Sequence, residues 1–175
     1  MVATTVDFGL FRLPATGWTV VGLQVGGYAL LIAPVAIWSP RTFRCLGLPG
    51  RQALVGAVLV AAALADAVLG QHLSNTHLAE NAVKYLATGV GEEVAFRGFL
   101  WERTQAAGLA PVWLVAVNTV VFTAWHLVSV AAQQSQLSDL IGVAVFGLLF
   151  TIIRLWSGTV GLPALVHIAS DIAGV

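Results

Sequence analysis

Charge is what this sequence has least of. Only 9% of its 175 residues are Asp, Glu, Lys or Arg, while 58% are hydrophobic, against roughly a quarter charged in an ordinary soluble domain. So few charges cannot cover a water-facing surface, which excludes a soluble globular domain. A single integral membrane domain spanning 1–175 is expected instead. The charges also cancel, eight basic against eight acidic, so no electrostatic field marks nucleic acid as a partner. One cysteine, Cys45, excludes an internal disulfide. The first apolar run, Thr19 to Trp38, is followed by no small-residue cleavage site and reads as a retained span rather than a removable signal.

What is there is apolar and periodic. A hydrocarbon core about 30 Å thick takes roughly 20 apolar residues of helix, and six segments approach that length: Trp18 to Trp38, Ala53 to Leu69, Ala82 to Leu100, Val112 to Ala132, Leu140 to Trp156, and Val160 onward. Turn-forming residues separate them, as in SPRT, LPGR, QHLSNTH, AAGLAP, QQSQLSD and WSGTVGLP. The predicted fold class is therefore all-α, a polytopic transmembrane bundle of about six helices with a polar cavity inside it. Arg41, Arg44, Arg51, Arg103 and Arg154 gather at one end of these spans, with Arg12 and Lys84 at the other. That bias predicts both termini outside the cytoplasm.

Ionisable groups inside a bilayer cost several kcal/mol each, roughly, and face the bundle interior or a wet cavity. Away from the span ends there are seven: Asp66, Glu92, Glu93, Arg97, His126, His167 and Asp171. Glu93 and Arg97 are spaced i,i+4 with the acid first, the favourable order for an ion pair on one helix face. Glu92 points about 100° away on the wheel and is left as the acid free for chemistry. A carboxylate in an apolar, partly wet cleft is suited to a general base. The turn near Ala107 to Pro111 makes an antiparallel hairpin, with Glu92 about 16 residues before it and His126 about 17 after. The two therefore lie at similar depth. His167 and Asp171 are again i,i+4 and share a face. Asp66 reads as a structural hydrogen-bonding residue, Gly142 and Gly147 as sites of close helix packing, and Trp18, Trp38 and Trp156 as an interfacial belt.

Three of these elements, EEVAFR, FTAWH and HIASD, match in order the patterns EExxxR, FxxxH and HxxxN/D. Over roughly Asn81 to Val175 the chain resembles the CPBP intramembrane proteases, the group that contains the CAAX prenyl protease called the Ras-converting enzyme and bacterial bacteriocin-processing or self-immunity proteins. The resemblance implies a catalytic core over 81–175 in which Glu92 activates water and His126 helps position it. It implies supporting roles for Glu93, Arg97 and Phe122, and places His167 and Asp171 at the scissile carbonyl. Asp171 stands where many members have Asn, and an ionised carboxylate accepts hydrogen bonds without donating them. This points Asp171 toward orienting His167, and keeps open a divalent metal such as zinc on Glu92, His126 and His167. No cofactor is the preferred expectation.

The expected function is an intramembrane endopeptidase acting on a peptide or lipidated protein, a CAAX-like prenylated C terminus among the candidates, at the plasma membrane of a prokaryote. The alternative is a non-catalytic membrane scaffold or self-immunity protein. Prenyl proteases of the family act from the cytosolic side, whereas the loop charges turn the Glu92 end of the hairpin outward. Oligomeric state is not legible.

Overall fold

The computed structural model describes residues 4–7, 12–15, 17–39, 42, 46, 47, 49–69, 78–131 and 135–173. Cys45, Arg41, Arg44 and the QHLSNTH turn lie outside the described residues. The helices are α1 (Trp18–Trp38), α2 (Gly50–Leu69), α3 (Leu78–Glu93), α4 (Trp101–Ala106), α5 (Pro111–Trp125), α6 (Leu127–Ala131), α7 (Asp139–Ser157) and α8 (Gly161–Ala173). A seven-residue π-helical segment, Val94–Leu100, joins α3 to α4 without a break. The expected all-α bundle is thus present, its six spans being α1, α2, α3 to α4, α5 to α6, α7 and α8. By length and composition, Val21–Trp38, Pro111–Ala131 and Asp139–Ser157 are each sufficient to cross a membrane among the described residues.

One element has no counterpart in the hydropathy pattern. Ahead of α1, strands β1 (Thr4–Asp7) and β2 (Arg12–Ala15) form an antiparallel hairpin with Thr4 opposite Ala15 and Asp7 opposite Arg12. Each strand is only four residues long, too short for an alternating pattern to stand out.

Two side-chain bonds set the first helix against the third: Gln24 Nε2 donates to Thr88 Oγ1 at 2.7 Å and Tyr28 Oη to Glu92 Oε1 at 2.8 Å. Both pairs advance by four residues, so α1 and α3 run parallel and in register. At their far ends Arg103 Nη2 donates to the Trp38 carbonyl at 2.9 Å. Helix α2 runs parallel to α8, Gly56 meeting Leu165 and Ala63 packing with Ile168 and Ile172. Trp18 and Ala173 therefore lie at the same end of the bundle.

Two expectations need correction. Gly147 does permit close packing, since a Cβ there would stand 2.8 Å from Phe122 Cδ1, but Gly142 has nothing within 4 Å of that position among the described residues. Gly142 faces a cavity instead. Asp66 is exposed and makes no hydrogen bond among the described residues. It sits one turn from the end of α2, where interfacial water satisfies a carboxylate. Trp18, Trp38 and Trp156 are exposed as an interfacial belt requires, whereas Trp101 is buried and its ring lies 5.4 Å from the Arg154 guanidinium carbon.

Candidate active site

The acidic pair sits where α3 turns into the π-helical segment. There the Trp101 N–H bonds to the carbonyls of Phe96 and Gly98 and passes over that of Arg97, which an α-helix would have used. A buried carbonyl without a donor is costly, and Arg154, from α7, supplies the donor through Nε at 2.9 Å. The wider turn is thus stabilised by a side chain 57 residues away in sequence. Such insertions commonly mark functional sites.

Glu93 is fully buried and shares Oε1 between two donors, Arg97 Nη1 at 2.9 Å and His167 Nδ1 at 3.0 Å. Arg97 is also fully buried and donates Nη2 to the Gly147 carbonyl at 2.7 Å. Its guanidinium carbon lies 4.2 Å from the centre of the Phe122 ring, a cation–π contact that replaces part of the lost hydration. On the other side of the site, Phe122 stands beside His126 with ring centroids 4.7 Å apart.

Glu92, one residue earlier, is bonded differently. Tyr28 occupies Oε1, whereas Oε2 is buried and has no hydrogen-bond partner among the described residues. That oxygen lies 3.9 Å from His126 Nε2 and 4.0 Å from His167 Nε2. Asp171 Oδ1 is 3.7 Å from the same His167 nitrogen. The structure therefore brings Glu92, His126, His167 and Asp171 together, with Glu93, Arg97 and Phe122 directly behind them.

Both histidine tautomers follow from their acceptors. His126 places Nδ1 2.9 Å from the Phe122 carbonyl, which can only accept, while its backbone N–H turns to Thr123. The ring N–H thus replaces the backbone N–H as the donor to Phe122, and α5 breaks at this residue, where an unbroken span had been expected. His167 Nδ1 donates to Glu93. Each imidazole consequently turns Nε2 toward the free oxygen of Glu92, the opposite edge being held by the scaffold.

A cavity of about 230 Å³ reaches this point, lined by His126, His167, Ser170 and Asp171 on its polar side and by Phe122, Val143, Phe146 and Phe150 on its apolar side. Asp139 and Gly142, at the start of α7, also line it. The cavity thus leads toward the end of the bundle that holds Trp18 and Ala173. The Phe150 and His167 rings stack at 4.7 Å with 22° between planes, which fixes the imidazole against the apolar wall.

Two participants carry no motif. Arg154 ends a span in sequence and looks interfacial, yet it is buried. Tyr28 lies midway along α1, far from either headgroup region where tyrosines gather. That central position is the sequence signal that could have found it.

A metal needs closer ligands. Around tetrahedral zinc, with bonds of about 2.0–2.1 Å, ligand atoms stand about 3.4 Å apart, and the Glu92 to histidine gaps are wider than that. Among the described residues, no three His, Cys, Asp or Glu side chains are arranged to hold a metal ion. Zinc on Glu92, His126 and His167 would require these side chains to draw closer than they stand.

Neither a curated protein nor a solved structure matches the chain. A family model does: the one described as type II CAAX prenyl endopeptidase Rce1-like covers residues 74–173, the stretch that contains Glu92, Glu93, Arg97, His126, His167 and Asp171. With that match over more than half its length, this integral membrane chain belongs to the Rce1-like family of CAAX endopeptidases and is a protease.

Proposed function

We propose that the chain hydrolyses a peptide bond of a membrane-associated substrate with a water activated by Glu92 and without a metal. The observation that carries this reading is the buried, unengaged Oε2 of Glu92, close to the Nε2 atoms of two histidines. A single water at about 2.8 Å from each, an ordinary O–H hydrogen-bond length, is compatible with separations of 3.9 and 4.0 Å. It would donate to Glu92 and to one imidazole and turn a lone pair toward the cavity.

In the attack, the water oxygen bonds to the carbonyl carbon, its proton passes to Glu92, and the carbonyl π electrons move onto oxygen. As the tetrahedral species collapses, the C–N bond breaks and Glu92 returns the proton to the leaving amine. His126 positions the water. His167, when protonated at Nε2, donates to the developing oxyanion while Glu93 and Arg97 balance its charge from behind. Asp171 orients His167 rather than binding the oxyanion itself. The aromatic and aliphatic wall of the cavity suits an apolar or lipid-modified segment beside the scissile bond, which fits a prenylated C terminus.

The test is cleavage of a prenylated peptide and its unmodified counterpart by purified protein in liposomes, with and without a chelator. The expected result is cleavage that Glu92→Gln abolishes while the fold is retained, and that a chelator leaves unchanged. Loss of activity on chelation overturns the metal-free mechanism. Absence of cleavage of either peptide by the folded wild type favours a scaffold.

A further inference from the structure

The family match begins at residue 74, yet the site is completed by a side chain well ahead of it. Tyr28 Oη donates to Glu92 Oε1 at 2.8 Å, which leaves Oε2 as the oxygen that faces the two histidines. A carboxylate held at neither oxygen turns about its last side-chain bond, a broad torsion without sharp wells. A donor at one oxygen removes that freedom.

Tyr28 is itself held in place. A Cβ on Gly91 would stand 2.4 Å from Tyr28 Cδ1 and 2.7 Å from Cγ, so the ring lies directly on the backbone next to Glu92. One turn earlier the bond from Gln24 to Thr88 ties the same two helices at 2.7 Å. The absence of a side chain at Gly91 lets the phenol reach Glu92, and the Gln24 bond is a separate tie between the same helices.

We infer that Tyr28 is a positioning residue for the proposed reaction, fixing the Glu92 carboxylate so that one defined oxygen takes the proton from water. The inference rests on Glu92 being the base. It makes α1 a functional part of the site and not only a packing partner.

The test compares Tyr28→Phe with Gln24→Leu and Glu92→Gln in the full chain. Phenylalanine keeps the ring on Gly91 and removes only the donor. Gln24→Leu removes the neighbouring bond between the same helices and does not touch Glu92. Tyr28→Phe is expected to lower kcat about 10- to 100-fold with KM unchanged, the scale of a lost orienting contact, whereas Gln24→Leu retains kcat. Infrared spectroscopy with isotope-labelled glutamate gives a readout independent of substrate. The carboxylate band lost in Glu92→Gln should shift in Tyr28→Phe and stay in place in Gln24→Leu. Wild-type kcat in Tyr28→Phe, with Glu92→Gln inactive, overturns the positioning role and leaves the base intact. Equal losses in Tyr28→Phe and Gln24→Leu also overturn it, because they reduce Tyr28 to a packing contact. Full activity of Glu92→Gln overturns both the base and the role that depends on it.

Discussion

Two neighbouring carboxylates face opposite walls of the same site. Behind Glu93 the wall is closed: an arginine, a histidine and the Phe122 ring surround a pair that is wholly buried. In front of Glu92 the wall is open, since His126 and Asp171 keep partial exposure and line the cavity. Each carboxylate keeps a buried Oε2 that no described group engages, so the difference lies in what surrounds that oxygen. Glu93 is matched in charge by Arg97 at 2.9 Å, while the free oxygen of Glu92 stands 3.9 and 4.0 Å from the Nε2 atoms of two histidines. A buried ion pair costs much to disturb and has little to offer a reactant. An unengaged oxygen beside two imidazoles is a poor stabiliser and a good place for a proton.

The largest effect should come from the open wall. Glu92→Gln is expected to reduce cleavage about 10²- to 10⁴-fold, the usual contribution of a general acid–base group, with thermal unfolding in detergent little changed. Next comes the closed wall: Arg97→Met strands the Glu93 charge and should cost about 3–5 kcal/mol of stability, read as loss of folded protein on denaturant titration. If Arg97→Met were well folded and inactive, the two walls would not divide as described. Gly147→Ala forces the Phe122 ring away from α7 and should cost about 1–3 kcal/mol by overpacking, with activity falling because Phe122 borders both Arg97 and His126. The smallest effect is at Asp171→Asn, which keeps an acceptor near His167 and should change kcat by at most about 10-fold, the scale of one net hydrogen bond. A larger loss there would give Asp171 a direct part in the proton transfers.

Much of this arrangement was legible beforehand because it is local. The Glu93 and Arg97 pair and the His167 and Asp171 pair each follow from i,i+4 spacing on one helix. The approach of Glu92 to His126 follows from counting away from one short turn. The π-helical segment was not legible: its sequence contains no proline, and its displaced carbonyl is satisfied by Arg154 from another helix. Asp66 misled for a related reason, since hydropathy cannot say which face of a helix meets its neighbours. The break of α5 at His126 was equally hidden, because the ring supplies the donor that a continuous helix would take from the backbone.

The sequence by itself determined the membrane-embedded helical class, the order of the spans and the residue types of the site, because hydropathy, turn chemistry and helical spacing act over a few residues at a time. Only the tertiary structure decided which glutamate turns a free oxygen toward two imidazoles. That choice depends on Tyr28, His167 and Arg154 arriving from three other helices, and a hydrogen bond is settled within a few tenths of an ångström, a precision that only the packed bundle supplies.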